Sequence, residues 1–497
     1  MNDLAEKALH GLDIARREIA ARPVTSLGIA GFVVSGAVVF TGGRLGPAPA
    51  AVPLDHWLGL LPPAGYQVTG VAMGAVMLAA IGALLALWLL TMHVSRARNF
   101  LPSQVWTIAT MWAVPFAVGP PQLTTDVYRY VAAGELARRA HSPYHHGADS
   151  LGNLRLIDVI DPAWRSARST DGPLTTLIDH LAVSVSGGSV IAAVVVLRIV
   201  AVLSVIALGR LAADLAGTRR TAAVCLAVLN PAVLLVVVSA GLVTGLIAAL
   251  LLAAILAARR RRWLRAVILA CIAAGLKPIV LITVAAIITV HVLGLPAPAR
   301  LRAALRDGVV ALLGLTVCVF SVPFGLGWIA NLSSAMHART AFAPASVVGN
   351  LMGFVVSAAS YDDLVAGGRI AAGFAAVTVL GYLFLTVRTR SLEATIGFAL
   401  LAVGILAPVL YPSYLLLGVL CLAPTATAVR RDWVIALSCV ACVLAPVGLG
   451  DRGGLYATCV ALAIIGGWLL VRWYTAYRPT DDSDADAAAG SNVSAAG

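Results

Sequence analysis

Apolar runs long enough to cross a membrane recur along the chain, separated by short clusters of arginine. Spans are predicted over residues 24–43, 69–93, 105–121, 190–211, 221–241, 242–258, 308–328, 365–387, 392–410, 414–429, 433–450 and 455–474, because each run approaches the roughly 17 to 25 apolar residues that bridge a bilayer core. Residues 266–293 break the pattern. Lys277-Pro278 interrupts that run and both flanks are basic, so two short helices or a re-entrant pair are expected, an arrangement tolerated where it lines a cavity. The expected fold is an all-α polytopic membrane protein of about 12 transmembrane crossings plus the broken short-helix pair.

Arginines set the topology, since basic residues collect on the cytoplasmic side of short loops. Arg16, Arg17 and Arg22 precede the first run, Arg96 and Arg98 follow the second, and Arg259, Arg260, Arg261 and Arg262 close the sixth. Both termini are then cytoplasmic and the protein is a multi-pass component of the plasma membrane. Ala48-Pro49-Ala50 looks like a signal-peptidase site, but the preceding run is too long for a signal core and reads as an uncleaved helix. The organisation that follows has a cytoplasmic amphipathic N-terminus (1–23), three N-terminal transmembrane helices (24–121) and an ordered extracytoplasmic catalytic loop (122–189). After these come central helices with the broken pair (190–328), a second outer loop (329–363) with an apolar part at 346–359, C-terminal helices (364–477) and a disordered cytoplasmic tail (478–497).

Composition agrees with lipid as the main solvent: of 497 residues 60% are hydrophobic and 12% charged. The net charge of +12 lies in the topology clusters and gives no reason to expect nucleic acid. The seven cysteines all lie in apolar segments. Cys439 and Cys442 therefore read as packing residues of a membrane helix, and no disulfide framework is implied.

Polar chemistry concentrates just after Pro120-Pro121, where Asp126, Arg129, Glu135, Arg138, Arg139 and three histidines follow one another closely. The spacing of Val127, Tyr130, Val131 and Gly134 predicts a short amphipathic helix on the outer membrane surface with Asp126 at its N-terminal end. Tyr128, Arg129, Tyr130, Glu135 and Tyr144 share this loop and are candidate substrate contacts. Asp126 there is either a general base or an ordinary N-cap. His141, His145, His146 and Asp149 are not expected to hold a metal, because Ser142-Pro143 interrupts any helix that would align them. Arg198, Lys277 and Arg369 lie within apolar segments, where a charge is costly unless paired, and are candidate phosphate-binding cations. Arg198 and Arg369 also lie near enough to the outer end to snorkel.

Asp126-Val-Tyr-Arg-Tyr with Gly134-Glu135 and Ser142-Pro143-Tyr144 resembles the first outer loop of the actinobacterial polyprenol-phosphomannose-dependent α-(1→6)-mannosyltransferases, membrane glycosyltransferases of the GT-C fold. The likeness continues through Asp161-Pro162-Ala163-Trp164, Gly172-Pro173, Leu197-Arg198, Leu229-Asn230-Pro231 and Lys277, and more loosely through Ser346 and Tyr411-Pro412-Ser413-Tyr414. It implies that Asp126 is the catalytic base. Two positions depart from the family pattern: Leu242-Val243-Thr244 stands where a His-Asn-Asp-like triplet is expected, and Asp171, a possible second carboxylate, stands where a tyrosine is expected.

The function expected is inverting transfer of a hexose, mannose in α-1,6 linkage, from a polyprenyl-phosphate sugar to a glycan or lipoglycan acceptor on the outer face. Membrane lipid is the medium, and no cofactor is needed beyond the lipid-linked donor. A catalytically degenerate paralogue in envelope glycan assembly and a lipid or sugar transporter remain alternatives. No internal repeat of the kind common in transporters is visible.

Overall fold

The structure, a computed structural model, describes residues 17–42, 57, 70–335, 343, 344, 348, 352 and 361–444, apart from positions 20, 122, 125, 153, 161–163, 336–342 and 426–427. The expectations for residues before 17, for Ala48-Pro49-Ala50, for most of the second outer loop, for the span at 455–474 and for the tail lie outside these residues. All regular structure among the described residues is helical. The principal helices are α1 (Pro23–Gly42), α2 (Gly70–Ala97), α3 (Pro102–Val118), α4 (Asp126–Arg138), α5 (Pro173–Val185), α6 (Val190–Ala216), α7 (Arg220–Ala227) and α8 (Thr244–Arg259). They continue with α9 (Trp263–Leu276), α10 (Leu281–Leu293), α11 (Ala297–Val319), α12 (Gly327–Ala335), α13 (Tyr361–Leu385), α14 (Leu392–Leu406), α15 (Pro412–Leu422) and α16 (Ala428–Leu444).

By length and composition, four helical stretches could cross a membrane, or five if one bent pair counts as a single span. One of the four, Val190–Ala227, is not straight. Gly217 has φ 58° at its middle, and a Cβ on Gly209 of α6 would lie 2.4 Å from Val228 Cγ2. The segment after Gly217 therefore folds back along α6. The stretch read above as one crossing at 221–241 is divided again at Asn230, whose Oδ1 accepts from Ala232 N at 3.0 Å and whose Nδ2 donates to Ser438 Oγ at 2.8 Å. Pro231 starts the next turn, and a π-helical turn, Leu234–Ser239, meets α8 at a bend of 118°. The bend at Gly241, φ 66°, falls where the spans 221–241 and 242–258 were expected to meet, and inside the first of them the Asn-Pro step alone marks the break.

The loop 122–189 is largely helical and is fixed at three places, one within itself and two against the rest of the bundle. Gly134 lets α4 and α5 cross at contact distance, since a Cβ there would come within 2.3 Å of the Asp179 carbonyl oxygen. Asn331 of α12, buried, donates from Nδ2 to the carbonyls of Tyr144 (2.7 Å) and Ser169 (3.0 Å). The third clamp is at the break between α9 and α10. Pro278 supplies no N–H and Val280 N bonds Lys277 O at 3.0 Å, so the Leu276 carbonyl turns outward to accept from Gly172 N (2.9 Å) and Thr175 Oγ1 (2.7 Å). Gly172 is needed for this approach, because a Cβ would sit 2.2 Å from Gly275 O.

Gly172→Val should therefore push the loop off the helix break. Overpacking of this kind costs about 1–3 kcal/mol, and the thermal unfolding midpoint of the purified variant should fall. An unchanged midpoint would mean that the loop is not seated on Leu276.

Candidate functional site

Asp126 opens α4 but does not cap it. The Thr124 hydroxyl accepts from Asp126 N at 3.1 Å and takes the capping role. The Asp126 side chain, 33% exposed, makes a loose ion pair with Arg129 Nη1 at 3.4 Å. Arg129 in turn lies over the Trp164 ring, 5.1 Å from its centroid. Burial works against the Arg129 charge, yet the fields of Asp126 and Asp171 more than offset it and hold the guanidinium above its ordinary pKa.

Lys277, at the helix break, points to the same cleft. Its ammonium is 3.4 Å from Asp171 Oδ1 and 5.0 Å from the centre of the Tyr414 ring. Tyr411 lies edge-on to Tyr414 with centroids 5.4 Å apart and faces Trp164 at 6.5 Å. The Asp126–Arg129 pair and the Lys277–Asp171 pair are thus joined by an unbroken row of aromatic rings. A cleft lined by Arg129, Tyr130, His146, Trp164, Ser169 and Asp171, among others, adjoins this cluster through one member of each ion pair, Arg129 and Asp171.

The structure brings together Asp126, Arg129, Tyr130, Asp171 and Lys277 from the sequence-predicted set and puts the others elsewhere. Tyr144 is buried and bonds Thr176 Oγ1 at 3.0 Å, fixing the loop to α5. Tyr128 is buried on the far side of α4 towards Arg198. Arg198 does not snorkel. It is 4% exposed, and its guanidinium donates to the carbonyls of Gly119 and Ser239, the latter at 2.6 Å, with the Trp57 ring 5.8 Å away. It ties the end of α3 to the π-helical turn and holds no place in the cleft. Arg369 lies on α13, whose main packing partner is α14.

Trp164, Tyr411 and Tyr414 join the cluster and were not among the predicted site residues, although both motifs that carry them were part of the family likeness; that their rings meet was visible only in the fold. Asp179 of α5 is 2% exposed and its Oδ1 has no hydrogen-bond partner among the described residues. Burial, reinforced by the negative field of Asp171, holds its carboxyl well above the usual carboxylate range, which favours the neutral acid. Leu242, Val243 and Thr244 are buried at the bend before α8, and neighbouring Gly241 sits against Val127 of α4. Among the described residues no group of three or more His, Cys, Asp or Glu side chains is placed to hold a metal ion.

A sequence profile of the family described as "Alpha-(1->6)-mannopyranosyltransferase, N-terminal domain" matches residues 27–293. Among curated relatives, a Mycolicibacterium smegmatis protein named "Probable alpha-(1->6)-mannopyranosyltransferase" is 26% identical over 479 residues, covering 86% of this chain and 85% of its own length. An alpha-(1->6)-mannopyranosyltransferase of Mycobacterium tuberculosis is 29% identical over 39% of this chain and 33% of its own. The alpha-(1->6)-mannopyranosyltransferase A of Corynebacterium glutamicum is 25% identical over 33% of this chain and 34% of its own. No solved structure matches the chain at a significant level.

Glu135, one helical turn and a half beyond Arg129, faces away from the cleft and braces the loop. It accepts from Arg138 Nε and Nη2 and from Arg139 Nε, each at 2.7 Å, while Arg139 Nη1 donates to Leu151 O at 3.2 Å. The hydrogen bonds from Arg138 hold the Glu135 carboxyl below its ordinary pKa, burial opposes them and Arg139 adds to them. A depressed pKa means that the stabilisation is present above the unfolded-state value and is lost as pH falls through the folded-state one. Glu135→Gln should lower the unfolding midpoint at pH 7, by roughly 1 kcal/mol once screening of the exposed guanidinium ends is counted. Its gap to the wild type should narrow as pH falls below the ordinary carboxylate range and close once pH has passed through the lowered folded-state value. A gap independent of pH would count against the brace.

Proposed function

The chain belongs to the alpha-(1->6)-mannopyranosyltransferase family, and we propose that it transfers a mannosyl residue from a polyprenyl-phosphate sugar to a glycan or lipoglycan acceptor, in α-1,6 linkage and with inversion. The family places it among the glycosyltransferases, and its apolar helices make it a membrane protein. The finer features belong to the proposal: a GT-C-like fold of about twelve crossings, the domain division given above, a cleft on the extracytoplasmic side, and both termini in the cytoplasm. The observation that carries the reading is the pairing of a partly exposed carboxylate, Asp126, with Arg129 and of Lys277, at a helix break, with Asp171, the two pairs being linked by one row of aromatic rings.

In this reading Asp126 takes the proton from the acceptor hydroxyl as its oxygen bonds to C1 of the donor sugar. The bond from C1 to the phosphate oxygen breaks on the opposite face, and the lipid phosphate leaves with the electron pair. Lys277 has three N–H donors, of which the 3.4 Å contact with Asp171 engages one. The others serve the phosphate as its charge develops. Arg129 steers Asp126, and Asp171 keeps the ammonium in place between turnovers. Donor and acceptor are the partners required, with no cofactor.

Asp126→Asn keeps the size of the side chain and leaves the Thr124 cap intact, but it removes the base. Mannosyl transfer by purified protein, with polyprenyl phosphomannose and a short mannoside, should fall about 10²- to 10⁴-fold at unchanged expression. Near-normal turnover would end the case for Asp126.

Lys277→Met should raise the apparent KM for the lipid donor and lower kcat, because the cation holds the phosphate in the ground state and stabilises it on departure. Donor kinetics equal to the wild type would remove Lys277 from the site.

A further inference from the structure

Among the described residues the large aromatic side chains range from fully buried to exposed. Trp57, Trp88, Trp112, Tyr128 and Tyr144 are fully buried. Trp164, Tyr411 and Tyr414 are only half-buried, at the edge of a polar cleft. Trp164 and Tyr411 come from segments far apart in sequence, yet their rings meet at 6.5 Å with a tilt of 49°. Tyr414 then closes on Tyr411 edge-to-face at 77°. The tilted rings form a V-shaped apolar cradle; Arg129, paired with Asp126, lies over Trp164, and Trp164 shares a cleft with His146, Ser169 and Asp171.

A half-exposed indole beside charged groups is a poor core element, because its apolar face still meets water. It suits a ligand with one apolar face and a polar edge. A pyranose has that shape: its axial C–H bonds make an apolar face that stacks on an aromatic ring, and its hydroxyls project around the rim as donors and acceptors. The cradle lies at the Asp126 end of the cleft, since Arg129 bridges Asp126 and Trp164. Tyr414 joins it to the Lys277 end.

We propose that Trp164 and Tyr411 form the platform on which the acceptor mannoside stacks, with its attacking hydroxyl presented to Asp126. The proposal rests on the transferase reading and deepens it by dividing the cleft: sugar acceptor on the Trp164–Tyr411 side, donor phosphate on the Lys277 side. It also gives the C-terminal part of the chain a share in the site, because Tyr411 lies beyond the residues 27–293 that the family profile matches.

The full-length protein in detergent or nanodiscs would be assayed with polyprenyl phosphomannose and α-(1→6)-mannobiose. Trp164→Leu and Tyr411→Leu should each raise the acceptor KM about three- to tenfold, the range expected for one lost aromatic contact, with the donor KM unchanged. Trp164→Phe, which restores a ring, should recover most of the acceptor KM. Binding of the mannobiose alone, followed by tryptophan fluorescence, should weaken in parallel in the Leu variants and recover in Trp164→Phe. An unchanged acceptor KM, a rise confined to the donor KM, or a loss in kcat alone that Phe does not reverse would overturn the platform while leaving the transferase intact. If the wild type transfers no mannose, the transferase reading falls, and the binding arm still decides the platform: mannobiose binding that depends on Trp164 upholds it, and binding indifferent to Trp164, or none, overturns it. If the Leu variants do not fold, the comparison of wild type with Trp164→Phe and Tyr411→Phe decides. A several-fold rise in acceptor KM for either Phe variant, or mannobiose binding weakened well below wild type, would then count against stacking.

Discussion

A proline in a buried helix leaves carbonyls without their usual donors, and in this chain Pro278 does so beside Leu276. An unpaired carbonyl in an apolar interior is expensive, so some group from outside the helix must approach it. Gly172 N and Thr175 Oγ1 are that group. Satisfying Leu276 fixes the start of α5, and with it Asp171, immediately before Gly172, beside Lys277. The helix break thus exposes a cation at depth and also recruits the loop that supplies its carboxylate partner. Gly172 is required because nothing larger can approach Gly275 so closely.

The ion pairs of the loop 122–189 fall into two kinds by geometry. Glu135 is held at 2.7 Å by two arginines and is 8% exposed, an arrangement that resists rearrangement. The Asp126–Arg129 and Lys277–Asp171 pairs are both 3.4 Å apart, with donors and lone pairs unused. A tight multidentate pair braces structure, and a loose one can exchange a partner for a substrate group at small cost. The tight pairs thus lie at the back of α4, while two of the loose pairs lie beside the aromatic row and a third, Arg165–Asp158 at 4.0 Å, lies apart from it.

Residues that violate their surroundings were readable from the sequence. A lysine before a proline inside an apolar run announced the break at 277, and a dense polar stretch after two prolines announced the helix starting at Asp126. The aromatic row was not readable, because Trp164 and Tyr411 meet only through the tertiary fold and a tyrosine in a membrane segment resembles packing. Arg198 misled for a related reason. A buried arginine signals that something must pair with it, but the sequence does not say whether the partner is a phosphate or, as here, the carbonyls of Gly119 and Ser239. The fold-back at Gly217 and the 118° bend before α8 fall at the boundaries read between the spans 190–211, 221–241 and 242–258, whereas the break at Asn230 lay hidden inside the stretch read as one crossing.

The same buried bend bears on how the site recognises its acceptor. Leu242 and Val243 lie inside the protein there, and Gly241 brings that backbone against Val127, the residue next to Asp126. The backbone packed beneath the start of α4 thus carries two buried apolar side chains, and Thr244, the polar member of the same turn, is buried as well. On the reading proposed above, an acceptor at Asp126 would therefore take its polar contacts from Arg129, Ser169 and Asp171, and its apolar contact from Trp164, rather than from this bend.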